Sequence, residues 1–293
     1  MPDRPAAALR FDAIGTNWSI TALTPLEHAR EAILAAVEDF DRTYSRFRPD
    51  SLIRQFGDQG GTVRFPPDAV ALFALIDQLH DATGGAFDPT VAAALEHLGY
   101  NEHYTLTPSP GDPPQAVGWS SITRKGSTLT STEPVLLDIG ALGKGRLVDL
   151  IATILREADV ENFIIDASGD VLAAGSCHPR VGLEDPRAPG HLIGALPLRS
   201  HALCASAINR RTWGEGLHHI LDARTSQPAT GVLATWVSAS STMLADALAT
   251  ALFFTDPDHL RDHFVFEFAR LHSDHHADAS PAFRTAITAP RGP

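Results

Sequence analysis

An apolar run from Met243 to Phe254 constrains the fold of this chain more than any other segment, because it must be buried and yet contains one acid. As a helix, it places the carboxylate of Asp246 and the hydroxyl of Thr250 four residues apart on the same face. A lone charge among apolar side chains is costly to bury unless it finds a partner. That partner can be a hard cation, which prefers oxygen ligands, or a neighbouring backbone N–H. The run therefore predicts a buried helix that carries either a metal ligand or a hydrogen-bonded structural carboxylate.

The composition limits the class of partner. The chain has 293 residues, 44% of them hydrophobic, and a formal net charge of −12. We expect no nucleic acid partner, because phosphate binding normally needs a basic patch. An anionic phosphate ligand would instead need backbone N–H groups, a helix N-terminus or a cation. No apolar signal core precedes the first predicted strand and no apolar run reaches membrane-spanning length, so we expect a cytoplasmic protein without a membrane segment.

Apolar periodicity predicts an α+β fold. Helices are expected after Pro25, from about Pro67 to Thr83 and at 146–158, and strands within 13–23, at Val135–Leu137 and at Phe163–Ile165. Short apolar pieces with turn signals follow residue 166, which favours an antiparallel sheet over repeated strand–helix units. The proline-rich stretch 105–118 predicts a surface loop.

The C-terminal residues lack the apolar periodicity of the rest of the chain. Residues 13–270 are predicted to form a single domain, and residues 271–293, which have little periodicity, a flexible C-terminal tail. His272, His275 and His276 have the chemistry of metal ligands, but the composition favours a solvated tail.

The first candidate for chemistry is the glycine-rich turn Asp138–Gly145, between a predicted strand and a predicted helix. Exposed backbone N–H groups at such a turn can face a phosphate. The spacing is neither that of a Walker loop nor that of the dinucleotide fingerprint. A sterically tight turn with Lys144 in solvent therefore stays open as the alternative.

The second candidate is the segment His218–Thr225, where a predicted strand ends in a turn. Histidine exchanges a proton near neutral pH, so one of these histidines can deprotonate a hydroxyl nucleophile. In an alternating strand, His218 and His219 face opposite ways, so at most one lines a site. The alternative is that Asp222 and its neighbours simply form a hydrogen-bonded turn.

Small-residue turns at Gly84–Thr90 and Asp166–Asp170 complete an ordered set of motifs. This set resembles that of the ApbE family, the FAD:protein FMN transferases, over about residues 13–255. The matching segments are Ile14–Thr16, Tyr44–Phe47, Gly85–Val91, Leu137–Gly145, Asp166–Asp170, His219–Asp222 and Ala245–Thr250. The resemblance implies an ApbE-like (T-fold-like) architecture, with a largely antiparallel sheet packed with helices and a flavin cleft between two intimately packed subdomains.

The resemblance also implies an activity. A threonine or serine hydroxyl of an acceptor flavoprotein would attack the FMN phosphorus of FAD and release AMP, with Mg²⁺ as the cofactor and FAD as the substrate. On this analogy Asp246, Thr250 and the carbonyl of Ala141 bind the metal, and His219 and Asp222 are catalytic, His219 as the acceptor of the nucleophile's proton. The implied FAD contacts are Ile14, Ala86, Phe87, Asp88, Asp138, Lys144 and Ile220.

The sequence departs from the family pattern at several glycines. Ser168, Ala207 and Ser226 stand where the family usually has glycine, and Ile14 where it usually has methionine. Each added Cβ narrows the space around the backbone and disfavours positive φ. An FAD pyrophosphatase that gives FMN and AMP, and a non-catalytic FAD-binding protein, are therefore the alternatives to transfer.

Overall fold

The computed structural model describes residues 7–288. The strands are β1 (Ala7–Ala13), β2 (Thr16–Ala22), β3 (Gly61–Arg64), β4 (Thr123–Lys125), β5 (Thr128–Ser131), β6 (Phe163–Asp166), β7 (Val171–Ala173), β8 (Arg180–Glu184), β9 (Leu192–Pro197), β10 (Ala202–Ala207), β11 (Thr212–Trp213), β12 (Leu217–His218), β13 (Leu221–Asp222), β14 (Gln227–Pro228), β15 (Val232–Ala239), β16 (Glu267–His272) and β17 (Ala277–Ala279). The α-helices are α1 (Glu27–Tyr44), α2 (Leu52–Gln59), α3 (Ala69–Ala82), α4 (Ala92–His97), α5 (Gly143–Glu157), α6 (Thr242–Ala251), α7 (Pro257–Arg261) and α8 (Pro281–Ala286). Single 3₁₀ turns cover Pro89–Val91, Trp119–Ser121 and Ile208–Arg210.

An eight-stranded sheet in the order β1-β2-β6-β7-β10-β15-β16-β17 forms the centre of the molecule. Every neighbouring pair in it is antiparallel. The strand β10 pairs with β15 along its whole length but with β7 only at Ala202 and Leu203. The predicted α+β fold with a largely antiparallel sheet is therefore confirmed.

Both faces of the sheet are covered. On one face, α1, α3, α5 and α6 pack over inward residues such as Ile20, Ile165 and Val237, in one core that runs from Ala13 to Phe268. On the other face, β8, β9 and α8 cover a smaller core that includes Trp236. The helix α6 contacts both α5 and β10, so the predicted buried helix lies where the helical layer meets the sheet.

Two local predictions differ from the structure. Val135–Leu137 is not a strand: Val135 and Leu137 are buried in the core, but the segment pairs with no strand within residues 7–288. The predicted helices also omit α2, which lies between α1 and the helix expected from about Pro67. Its N-cap Ser51 accepts a hydrogen bond from the backbone N–H of Arg54 at 2.9 Å. A capped N-terminus of this kind stabilises a short helix by about 1 kcal/mol.

The prediction of a flexible tail is wrong for its described part, residues 271–288. β17 pairs with β16, and Phe283 in α8 is buried in the smaller core. The segment lacks a long apolar period because only a few of its side chains face the core. The structure does not describe residues 289–293, which were also assigned to the tail. It does not describe residues 1–6 either, which are part of the segment expected to have no signal core. Within residues 7–288, no helix combines the length and the apolar character needed to cross a membrane.

Candidate active site

A cleft of about 270 Å³ opens where the ends of several elements meet. Its wall includes the β1–β2 turn, the segment after α3, the start of α5, the β6–β7 turn, β10 and α6. Ten of the predicted site residues line it: Ala86, Phe87, Asp88, Asp138, Ala141, Lys144, His219, Ile220, Asp246 and Thr250. Residues far apart in sequence are thus gathered at one place.

Asp246 lies in the first half of α6 and is only 2% exposed. Its Oδ2 accepts a hydrogen bond from the backbone N–H of Gly145 at 2.9 Å, which is the structural partner considered for a buried carboxylate. Its Oδ1 lies 3.5 Å from the ammonium of Lys144. One turn further along, the hydroxyl of Thr250 lies 3.4 Å from that of Ser206. One carboxylate oxygen of Asp246 is therefore hydrogen-bonded to the backbone, while the other lies near the positive charge of Lys144.

Gly145 lets α5 approach α6 this closely. A Cβ placed on Gly145 would lie 2.6 Å from the carbonyl carbon of Thr242 and 2.8 Å from the Cα of Met243. Real Cβ atoms do not approach other atoms within 3 Å, so only glycine fits here. The close contact brings Lys144 and Asp246 into one buried group.

Lys144 forms ion pairs with two buried acids, Asp170 and Asp246. Burial alone would lower the pKa of Lys144, but the two carboxylates outweigh it and raise that pKa. Burial and the charge of Asp170 raise the pKa of Asp246 to about 7, against the opposing effect of Lys144. The cluster carries two carboxylates against one ammonium, so a further positive charge would be stabilised there.

The residues of the cleft fit a hard divalent cation. The Oδ1 of Asp170 is buried and has no hydrogen-bond partner within residues 7–288. Asp246, Thr250 and Ala141, which carry a carboxylate, a hydroxyl and a backbone carbonyl, all line the same cleft. Mg²⁺ takes such oxygen ligands and usually keeps waters or substrate phosphate in the rest of its shell. The cleft thus combines excess buried negative charge with residues that carry oxygen ligands, and a hard divalent cation requires both.

Asp138 begins the glycine-rich turn and is fixed by Arg46. Its Oδ2 accepts from Nε of Arg46 at 2.6 Å, and its Oδ1 from the backbone N–H of Gly140 at 2.6 Å. Burial opposes ionisation, but the ion pair with Arg46 and these hydrogen bonds hold the pKa of Asp138 below its usual value. The turn therefore presents an ionised, immobilised carboxylate rather than a flexible one.

His219 follows β12 and lines the cleft, whereas His218 points elsewhere and contacts the carbonyl of Ala229 through Nε2 at 3.0 Å. Burial, together with the charge of Arg211, lowers the pKa of His219 to about 3. The buried Nδ1 of His219 has no hydrogen-bond partner within the described part of the chain. His219 is therefore a neutral imidazole at physiological pH, and the same burial makes it a weak base.

The carboxylate of Asp88 shapes the cleft wall. Its Oδ1 accepts from the N–H and hydroxyl of Thr90 at 2.8 and 2.7 Å, and its Oδ2 from the N–H of Trp119 at 2.7 Å. Because both oxygens are engaged in the protein, Asp88 holds the loop that brings Ala86 and Phe87 to the cleft. A ligand would meet the backbone of this loop.

Two predicted site residues are not in the cleft. The carboxylate of Asp222 binds Arg224, with Oδ1 2.9 Å from Nε, and the backbone carbonyl of Asp222 accepts from Ser226. The structure thus gives Asp222 the hydrogen-bonded turn that was its alternative, and these contacts favour that alternative over the catalytic role predicted for Asp222. Ile14 lines an adjoining cavity, also of about 270 Å³, with Phe40 and Tyr44.

The sequence patterns gave no role to several residues at the site. Arg46 is buried, and its two terminal guanidinium nitrogens have no hydrogen-bond partner within residues 7–288. Arg211 lies between the two cavities, and Asp170 and Ser206 complete the polar groups around Lys144 and Thr250. Arg46 and Asp170 lie within segments that match the family motifs, and this membership could have marked them as site residues. Nothing in the local sequence marks Arg211.

Two of the residues that stand in place of family glycines adopt a backbone conformation that usually requires glycine. Ser168 and Ser226 have φ values of 57° and 55°, in the left-handed region. The hydroxyl of Ser168 donates to the carbonyl of Asn17 at 2.8 Å, and that of Ser226 accepts from the N–H of Ala116 at 3.2 Å. Ala207, with φ of −149°, needs no glycine. The two serines therefore keep left-handed turns, and their hydroxyls form hydrogen bonds with neighbouring backbone groups.

Comparisons with known proteins point in one direction. Residues 14–266 match the model of the ApbE family. A Haemophilus influenzae protein named FAD:protein FMN transferase is 26% identical over 266 residues, covering 83% of this chain and 76% of that protein. A Chlamydia trachomatis protein of the same name is 28% identical over 254 residues, covering 79% and 78%. A Rhodobacter capsulatus protein, again of that name, is 32% identical over 190 residues, but the match covers 57% of this chain and only 35% of that protein.

Solved structures show the same fold. The ApbE protein of Thermotoga maritima superposes with a TM-score of 0.84 at 24% identity, over 96% of this chain and 99% of that one. The flavin transferase ApbE from Vibrio cholerae superposes with a TM-score of 0.79 at 20% identity, over 96% and 100%. The architecture expected from the motifs is thus confirmed.

Proposed function

Since this chain belongs to the ApbE family, we propose that it is a Mg²⁺-dependent transferase that moves FMN from FAD to a threonine or serine hydroxyl of an acceptor flavoprotein and releases AMP. One observation carries the proposal. The oxygens of Asp246, Thr250 and Ala141 share a single cleft with Lys144 and the proton-accepting His219. The proposed reaction needs a cation site, a group that binds the diphosphate and a base, and this cleft holds a candidate for each.

The bond changes follow from the charges of the cleft. The acceptor oxygen forms a bond to the FMN phosphorus, and the bond from that phosphorus to the bridging oxygen breaks. AMP leaves with the bridging oxygen and its electron pair. The hydroxyl proton goes to His219, which is unprotonated at neutral pH. The negative charge of a bound diphosphate would raise the pKa that burial and Arg211 lower, and so strengthen His219 as a base.

Residues around the cation site hold the diphosphate and its charge. Asp246, Thr250 and the carbonyl of Ala141 would hold Mg²⁺, which when bound neutralises phosphate charge and aligns phosphate oxygens. Lys144 offers a permanent ammonium on the same wall, since its pKa is raised. Phosphoryl transfer depends mainly on such positioning and charge neutralisation.

The two alternatives use the same cleft. Water in place of the acceptor hydroxyl would give FMN and AMP, and a site without turnover would only bind FAD. Ser168 and Ser226 keep left-handed backbone and place their hydroxyls on protein partners, so the glycine replacements do not favour loss of catalysis. Transfer remains our proposal because His219 and the Asp246–Thr250 pair are both present.

One assay separates the three activities. The protein is incubated with FAD, Mg²⁺ and candidate acceptor proteins, and AMP release and the mass of the acceptor are measured. AMP together with an FMN-sized mass gain supports transfer, AMP alone supports hydrolysis, and bound FAD without AMP supports a binding protein.

Asp246→Ala tests the cation site directly. It should abolish AMP release while the circular dichroism spectrum stays unchanged, because the metal loses its carboxylate. Asp222→Ala is the matched control, since it removes a nearby acid that lies outside the cleft, and it should retain turnover. Full activity in Asp246→Ala would refute the metal assignment.

A further inference from the structure

The hairpin formed by β16 and β17 gathers two histidines and one acid on one face. In its register, Arg270 lies opposite Asp278, and the N–H of His272 donates to the carbonyl of His276 at 2.9 Å. His272 and His276 therefore face each other across the turn. Their rings stack with centroids 4.4 Å apart and planes 20° apart. The Nε2 of His272 lies 2.8 Å from the Oδ1 of Asp278.

One ligand atom from each of His272, His276 and Asp278 lies within 4.8 Å of the other two. His272 and Asp278 lie on adjacent strands, whose spacing the sheet fixes. His276 lies in the turn directly before β17, where its carbonyl accepts the hydrogen bond from His272. The turn is also anchored, because the N–H of Ser273 donates to the carbonyl of Gly231 at 3.0 Å. The three groups are thus presented together by a hydrogen-bonded scaffold.

A second layer of contacts orients the carboxylate. The guanidinium of Arg270 donates to Oδ2 of Asp278 at 2.9 Å and to the carbonyl of Thr255 at 3.1 Å. Arg270 also donates from Nε to both carboxylate oxygens at 3.2 Å and so orients Asp278, whose Oδ1 lies beside Nε2 of His272. Ligating carboxylates and imidazoles in metal sites are typically oriented by hydrogen bonds of this kind.

We propose that His272, His276 and Asp278 bind a borderline divalent metal ion such as Zn²⁺. Two imidazole nitrogens and one carboxylate oxygen are the ligands that Zn²⁺ and its neighbours Cu²⁺ and Ni²⁺ prefer, with water completing a four-coordinate shell. The oxygen ligands in the cleft suit Mg²⁺ instead. The hairpin site is thus distinct from the cleft in position and in metal preference, and the proposal does not depend on FMN transfer.

A bound ion would join the two strands of the hairpin. β17 is the last strand of the sheet and pairs only with β16, through residues 269–271 and 277–279. A ligand that binds the folded hairpin and not the unfolded chain stabilises it by mass action. Zn²⁺ should therefore protect the amides of β17 from hydrogen exchange.

Zinc titration of the full chain tests the proposal. ZnCl₂ is added in a calorimeter in the presence of saturating Mg²⁺, and we expect zinc binding that Mg²⁺ does not displace. His276→Ala should weaken this binding at least tenfold, with little risk to folding because the side chain of His276 is 59% exposed. The matched control is His275→Ala, which removes the neighbouring imidazole that contacts Arg187 instead.

Two further readouts make the outcome decisive. Co²⁺ in place of zinc should give the visible absorption of a four-coordinate site in wild type and in His275→Ala, but not in His276→Ala. His276→Ala should release AMP from FAD at the wild-type rate, because the hairpin is not part of the cleft. Zinc binding of equal strength in wild type and His276→Ala, or no zinc binding at all, would overturn the proposal.

Discussion

At the scale of single residues, the site depends on a few buried charges whose balance is incomplete. Lys144 is shared by Asp170 and Asp246, and the Oδ1 of Asp170 has no hydrogen-bond partner within residues 7–288. An unbalanced buried carboxylate is costly unless a cation or a proton neutralises it. Either neutralising species can occupy the same place, so protons and metal compete.

This competition predicts the pH dependence of metal binding. The pKa of Asp246 is raised to about 7 in the metal-free protein, so the carboxylate is ionised at pH 8 and mostly protonated at pH 6. A protonated carboxyl does not bind the metal, and the dissociation constant for Mg²⁺ should therefore be about tenfold higher at pH 6 than at pH 8. Calorimetric titration at the two pH values measures it. A dissociation constant that does not change with pH would contradict the competition.

His219 makes a separate prediction. His219→Ala should lower kcat for AMP release by about 10²–10⁴-fold, because the attacking hydroxyl loses its proton acceptor. The Kd for FAD should change little, since the imidazole carries no charge with which to hold the diphosphate. Single-turnover kinetics and fluorescence titration of FAD measure the two quantities. An unchanged kcat would exclude His219 as the base.

The sequence identified the site residues unevenly. The spacing of Asp246 and Thr250 on one helical face and the opposite directions of His218 and His219 follow from local geometry. The pairing of Arg46 with Asp138 spans 92 positions, so no local pattern contains it. Asp222 is the converse case, because its carboxylate lies near a histidine in sequence but binds Arg224 of its own turn.

At the scale of elements, helix packing positions the cation site. α5 and α6 meet at Gly145, whose N–H binds Asp246 and whose missing side chain leaves room for Thr242. The strand β10 then supplies Ser206 beside Thr250. The relative position of two helices and one strand thus sets the distance between the metal ligands.

Gly145→Ala tests this packing. The added methyl group has no space against Thr242, so we expect a loss of about 1–3 kcal/mol in the free energy of unfolding, as in other overpacked interiors. AMP release should fall as well, because α5 and α6 must separate. Thr153→Ala, on the exposed side of α5, is the control for urea denaturation. Equal stability of the two variants would show that the helix contact tolerates a side chain.

Phe283→Ala tests the correction of the predicted tail. Phe283 is fully buried in the smaller core, so its removal should cost about 3–5 kcal/mol of unfolding free energy. A flexible tail would show no such cost. The exposed neighbour Thr285, changed to alanine, provides the comparison on the same helix. Unfolding free energies that match for the two variants would restore the tail interpretation.

The predictability of each element reflects how it is buried. The helices α1, α3 and α5 bury one face along several turns, and this gives a clear 3.6-residue period. α2 has eight residues and only Ile53 and Phe56 buried, so its signal was its N-cap rather than its period. Val135–Leu137 has the apolar sequence of a strand because it is buried, but burial alone does not supply the neighbouring strand that a sheet requires.

At the scale of the whole molecule, the order of strands brings distant segments to one cleft. The sheet places the turn after β6 beside β10 and under α6, while the loops near Asp88 and His219 close the other wall. Topology of this kind does not follow from local pattern, and the motif order that resembles the ApbE family supplied it.

The location of a bound divalent ion tests the central claim most directly. Crystals of the protein are soaked with FAD and Mn²⁺ in place of Mg²⁺, and the ion is located by its anomalous scattering. We predict one manganese bound by Asp246, Thr250 and the carbonyl of Ala141, in contact with the FAD diphosphate. A manganese ion elsewhere with this cleft empty, or FAD bound with its diphosphate away from Asp246, would contradict the account.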